Sequence, residues 1–125
     1  APHYHSVREF CAQFAHIQHF DFIEDMASLM FAHDIAIGAP GSTSWERACL
    51  GIPSIVVPLA DNQVNICNQL TARNVCIKVK VEDIESKLDS ALDHLIRDWG
   101  IFHSSNLGVC DGKGVFRVVK KLENI

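Results

Sequence analysis

Short apolar strands that break into polar turns and then into helices constrain this chain more than any other feature. The run Ile35-Ala36-Ile37 gives way to Gly38-Ala39-Pro40-Gly41-Ser42-Thr43-Ser44, and a helix carrying Trp45-Glu46-Arg47 follows. Ser54-Ile55-Val56-Val57 then leads into a second polar turn, Ala60-Asp61-Asn62-Gln63. Helices and strands alternate in this way, and strands of continuous Ile/Val character belong to parallel sheets covered on both faces. The expected fold is α/β, a Rossmann-like parallel sheet with helices on both faces. Ligands on such sheets sit beyond the carboxyl ends of the strands, where both turns fall. The first turn of a helix leaves N–H groups unpaired and carries partial positive charge, which suits a phosphate. Glycine lets the backbone come close to it.

Local periodicity fills in the remaining elements. Val7, Phe10, Cys11 and Phe14 fall at helical spacing, which predicts a helix over 6–15. Residues 17–22 read as a strand, and Asp25 is placed to cap a short helix through Met30. A buried strand is expected at 35–37, a helix at 43–50 ended by Gly51 and Pro53, and a strand at 54–57. A helix over 63–73 ends at Asn74, and a strand follows at 75–79. Ile84, Leu88, Leu92, Leu95 and Ile96 mark an amphipathic helix over 82–98. Gly100 then reads as a break before a short helical piece, 106–114 as a loop and 115–122 as a closing helix.

Composition narrows the function classes. The 125 residues suffice for one domain with a genuine core. No apolar run reaches membrane-spanning length. A net charge of −4 without a basic cluster argues against nucleic acid or an acidic membrane surface. Cations are sparse near the two turns, so backbone amides and hydroxyls are expected to hold any anion. The five cysteines, Cys11, Cys49, Cys67, Cys76 and Cys110, form no C-x-x-C pair and read as reduced cytosolic thiols. His16 with His19, and His3 with His5, lack further ligands at suitable spacing, so neither a metal site nor a cofactor is expected.

Several motifs together resemble one family. They are Phe22-Ile23-Glu24-Asp25-Met26, Ala36-Ile37-Gly38, Gly41-Ser42-Thr43-Ser44-Trp45-Glu46-Arg47, Leu50-Gly51-Ile52-Pro53-Ser54, Ala60-Asp61-Asn62-Gln63 and Asp111-Gly112-Lys113-Gly114. This set is similar to the C-terminal half of the UDP-sugar hydrolases of pseudaminic acid biosynthesis. Those enzymes are GT-B-type relatives of the peptidoglycan N-acetylglucosaminyltransferase. The resemblance implies a cytoplasmic enzyme that releases UDP and a free 2,4-diacetamido-trideoxyhexose. It also implies that an N-terminal domain, with the family's histidine base, and the first strand-helix-strand of this domain lie outside the chain. The chain alone is then expected to be inactive, and to self-associate at the sheet edge left unpaired.

The same resemblance implies roles for individual residues. The Ile23 backbone would pair with uracil, with Met26 near the base. Gly41, Ser42, Thr43 and Ser44 would cradle the diphosphate, where an ordinary strand-to-helix turn is the alternative. Glu46 would accept from both ribose hydroxyls, while Thr43-x-x-Glu46 also has the form of a capping box. Asn62 would face the sugar-phosphate as the catalytic contribution of this half, with Gln63 on the diphosphate or sugar. Trp45 reads as a packing residue. Where the transferase relatives carry further polar residues, this chain has Val64 and Cys67, which points to the hydrolase branch. A UDP-sugar-dependent transferase donor domain and a non-enzymatic nucleotide-sugar-binding module remain the alternatives.

Overall fold

The computed structural model describes residues 4–109, with the side chains of all of these but Tyr4, Ser42 and Thr43. Three strands, β1 (Ala36–Gly38), β2 (Ser54–Val56) and β3 (Cys76–Lys78), form one parallel sheet in the order β1-β2-β3. Ile37 lies opposite Ile55, and Ile55 opposite Ile77. The helices are α1 (Tyr4–Ala12), α2 (Met26–Phe31), α3 (Ser42–Cys49), α4 (Val64–Ala72), α5 (Ile84–Arg97) and α6 (Trp99–Val109). Helix α3 connects β1 to β2 and α4 connects β2 to β3, as parallel strands require. The Rossmann-like α/β sheet expected from the alternation is present.

Strand alternation sends successive side chains to opposite faces, and each face has its own core. Ile55 packs with Val79, Ala91, Leu95 and Phe102, flanked by Ile77, Ile84, Leu88 and Leu92, so the stripe of α5 covers this face. Val56 and Cys76 point the other way, onto Cys67 and Leu70 of α4. Ile55 and Leu95 are fully buried, and each such side chain contributes roughly 1.5–3 kcal/mol by leaving water.

Helix α6 closes the amino ends of the strands. Trp99 Nε1 donates to the Asp34 carbonyl ahead of β1 at 2.9 Å. His103 Nδ1 lies 2.6 Å from the Gly51 carbonyl ahead of β2, which fixes the proton on Nδ1. Asn106 Nδ2 donates to the Val75 carbonyl ahead of β3 at 2.9 Å. Trp99, His103 and Asn106 share one helical face by their spacing, and the Trp99 and His103 rings stack at 4.6 Å. Gly51 has φ +68°, and a Cβ there would meet the His103 ring at 2.7 Å. With α6 across the amino ends, the carboxyl ends carry the turns.

Several expectations are corrected. Residues 17–22 form no strand: turns at Gln13, Phe14 and Ile17 carry the chain off α1, and β1 pairs only with β2 among the described residues. Strand β1 is not fully buried, because α5 reaches Ile55 and Ile77 but leaves Ile37 54% exposed. Gly100 does not break a helix and Asn106 is not in a loop, since α6 runs through both. A glycine inside a helix costs only about 1 kcal/mol, which packing of Phe102 and Asn106 outweighs; the break falls instead at Asp98. The helices expected from 63 and 82 open with 3-10 turns, Asp61–Gln63 and Val81–Asp83. Asp25 caps α2, its carboxylate accepting from the Ser28 N–H at 3.1 Å and the Ser28 hydroxyl at 2.7 Å. Cys11, Cys67 and Cys76 are free thiols, but Cys49 is disulfide-bonded, so the reading of reduced thiols throughout fails there. The closing helix expected at 115–122, with Asp111-Gly112-Lys113-Gly114, lies outside the described residues.

Candidate functional site

Strand β1 ends at Gly38, and Ala39-Pro40-Gly41 carry the chain into α3. Gly41 is the N-cap, at φ +148° and ψ −156°, a conformation essentially confined to glycine. Helix α3 therefore starts two residues before the Thr43-x-x-Glu46 pattern suggests, with Gly41 and not Thr43 as the N-cap. Its first turn is closed by Gly41 and Ser44: the Ser44 N–H donates to the Gly41 carbonyl at 3.0 Å and the Gly41 N–H to Ser44 Oγ at 3.3 Å. Glu46 takes no part in this cap. It is exposed and makes no hydrogen bond or ion pair among the described residues. The capping-box alternative for Glu46 falls with that geometry. The N–H groups of Ser42 and Thr43 open the helix and have no intrahelical acceptor.

Two side chains hold the turn. Arg47, one helical turn beyond Ser44, is 6% exposed, and its Nη2 donates to the Ala39 carbonyl and to Ser44 Oγ, both at 3.1 Å. Gln63 reaches across from the second turn: its Nε2 donates to the Pro40 carbonyl at 3.3 Å while its Oε1 accepts from the Leu59 N–H at 2.8 Å. Carbonyl oxygens of a turn repel an anion. Here the Ala39 and Pro40 carbonyls are occupied by donors, which leaves the helix-start N–H groups as the turn's free polar groups. The Val57 N–H donates to the Gly38 carbonyl at 2.9 Å and keeps the two strand ends in step.

The site residues expected from the sequence divide by position. Gly41, Ser44 and Gln63 come together, with Ser44 3% exposed and facing inward to the turn. Ser42 and Thr43 begin α3 beside them. Glu46 lies on the outer side of α3, and Asn62 is exposed in the adjacent 3-10 turn, without a hydrogen bond among the described residues. Ile23 is half-buried and Met26 is 42% exposed at the start of α2; no hydrogen bond joins that segment to the turns among the described residues. Trp45 is 42% exposed and lines a groove between α3 and α4 with Ile66, Gln69 and Arg73, so it is only partly a packing residue.

Cations are less sparse here than the sequence suggests. Beyond the carboxyl ends of β2 and β3 an open cleft of about 610 Å³ is lined by Pro58, Leu59, Asp61, Lys78, Lys80 and Glu82, among others. Lys78 Nζ donates to Asn68 Oδ1 at 2.9 Å. Arg47 is the residue that sequence reasoning passed over. Its signal was present: three positions after Ser44 on α3, it shares that residue's inward face. Burial pulls its pKa below the ordinary arginine value, with the Glu46 carboxylate acting the other way. Among the described residues no group of three or more His, Cys, Asp or Glu side chains has the arrangement of a metal site. None of the described helices is long and apolar enough to cross a membrane.

Comparison with known proteins places this geometry. Across 130 aligned positions the chain is 22% identical to the spore coat polysaccharide biosynthesis protein SpsG of Bacillus subtilis (strain 168). The match takes in 100% of the chain and 38% of that relative's length. No solved structure matches. Residues 2–99 match the glycosyltransferase family 28 C-terminal domain, a span that contains the parallel sheet and the glycine turn. The chain belongs to the glycosyltransferase family 28 C-terminal domain family.

Proposed function

We propose that this chain is the UDP-binding domain of an enzyme acting on a UDP-linked sugar. The observation that carries the reading is the turn at 38–44, whose carbonyls at Ala39 and Pro40 are held by Arg47 and Gln63 while the start of α3 keeps its N–H groups free. A diphosphate fits that turn, with Ser42 and Thr43 presenting backbone donors and Gly41 letting the backbone come close. Glu46, exposed and unengaged among the described residues, has two carboxylate oxygens for the two ribose hydroxyls. Uracil then lies toward Ile23 and Met26, and Asn62 toward the sugar-phosphate.

The reaction we propose is hydrolysis of the sugar–UDP bond, releasing UDP and a free 2,4-diacetamido-trideoxyhexose. A water attacks, activated by a base outside this chain, while this domain positions and stabilises the departing diphosphate. Support comes from Cys67, which stands where transferase relatives have a polar sugar contact and is wholly buried in the core. Transfer to an acceptor is the second reading, favoured by membership of a glycosyltransferase family.

Calorimetry tests the binding step. UDP binds more tightly than UMP or CDP, and Glu46→Ala weakens UDP by about 1–3 kcal/mol through loss of charge-assisted ribose contacts. Unchanged UDP affinity in a folded Glu46→Ala variant would remove Glu46 from the site. In the full-length enzyme, Asn62→Ala lowers turnover more than it weakens UDP binding, as for a group acting mainly in the transition state. Free sugar as the product marks hydrolysis, and an acceptor-linked sugar marks transfer.

A further inference from the structure

Arg47 is a buried cation with an unusual set of partners. Its guanidinium touches a carbonyl and a hydroxyl and makes no ion pair with a carboxylate among the described residues. Nε is buried and has no acceptor among the described residues. Gly38, the last residue of β1, makes room for it, since a Cβ there would come within 2.8 Å of Nη1. A buried charge is normally paired, because desolvation without a counter-charge is costly. The turn above this charge is also the turn whose free groups are donors.

Ser44 adds a second point. Its Oγ accepts from the Gly41 N–H and from Arg47 Nη2, so both lone pairs are engaged. Arg47 thereby holds a side chain that closes the glycine turn, and through the Ala39 carbonyl it holds the turn's other end.

We propose that Arg47 is a positioning residue for the anion-binding turn. Its guanidinium fixes the backbone of residues 39–44 through Ala39 and Ser44, and it supplies from beneath the positive charge that a bound diphosphate neutralises. This rests on the reading of the turn as a diphosphate site. The missing counter-charge of Arg47 is then the ligand's own, and the pair forms only in the complex.

The test compares UDP, uridine and inorganic pyrophosphate on the wild-type chain and on Arg47→Met, Arg47→Lys and Gly38→Ala, with folding checked by circular dichroism. Arg47→Met is expected to weaken UDP and pyrophosphate about tenfold or more, with uridine changed less than about twofold. Arg47→Lys restores part of the loss, because it keeps the charge but not the two-point hold. Gly38→Ala, which displaces the guanidinium without removing its charge, shows an intermediate loss and keeps the test alive if Arg47→Met does not fold. Equal losses for UDP and uridine, or UDP affinity unchanged in a folded Arg47→Met protein, would overturn the proposal. If the wild type binds pyrophosphate but prefers no uridine nucleotide, the UDP reading fails while the Arg47 comparison still decides on pyrophosphate. If it binds neither, both fall together.

Discussion

Asn106 offers the sharpest test of how α6 is held. It is 1% exposed, and its Nδ2 donates to the Val75 carbonyl at 2.9 Å and the Phe102 carbonyl at 2.7 Å, while Oδ1 has no partner among the described residues. Asn106→Ala removes the donor and deprives the Val75 carbonyl of this hydrogen bond, at a cost of about 1–3 kcal/mol. The lower half of that range is expected, because the orphaned Oδ1 leaves with the side chain. Asn106→Asp keeps the shape but turns the donor into an acceptor facing two carbonyl oxygens. An ionised carboxylate there is an uncompensated buried charge, worth about 3–5 kcal/mol of destabilisation. Its folded pKa must therefore rise above the ordinary aspartate value. Between the unfolded and the raised folded pKa the native state binds more protons than the unfolded one, so the variant loses stability as pH rises. Urea unfolding of all three proteins at mildly acidic and neutral pH reads this out. The expected order at neutral pH is Asn above Ala above Asp, with the Asp deficit shrinking in acid. An Asp variant as stable as the Ala variant at neutral pH would refute the two-carbonyl geometry.

Two further outcomes are expected. Gly41→Ala places a Cβ in open space but at φ +148°, so its cost is backbone strain of about 1–3 kcal/mol, seen as a lowered melting temperature; a variant as stable as the wild type would mean the turn adopts another shape. Burial raises the thiol pKa of Cys67 and lifts that of Cys76 to about 11, so both stay protonated at neutral and mildly alkaline pH; mass spectrometry after brief alkylation should find Cys11 labelled and these two spared until denaturant is added.

Much of the fold can be read along the chain because it depends on neighbours in sequence. The apolar runs at β1, β2 and β3, the cap at Asp25 and the end of α4 at Asn74, which has φ 57°, follow from side-chain type and spacing alone. The same holds for the glycine turn between β1 and α3. Such features rest on sterics and hydrogen bonds within a few residues. The failed strand at 17–22 marks the limit: a strand exists only if another strand is there to pair with it, and alternation in sequence carries no such information.

The site shows the same division. The expectation of a phosphate-sized anion at residues 41–44 rests on glycine, hydroxyls and the helix start, all adjacent in sequence. That Ser44 turns inward, that Gln63 bridges two turns and that Glu46 is free of the cap depended on where α3 begins and how the second turn folds against it. Arg47 looked like one more charge on a helix. Only packing against the sheet made it a buried cation beneath the turn, because burial and the lack of a carboxylate partner among the described residues are properties of the surroundings. Likewise Trp99, His103 and Asn106 carry no motif. Their role arises because α6 lies across three carbonyls from residues far apart in the chain, and side-chain chemistry becomes a clamp only when tertiary structure brings those acceptors into line.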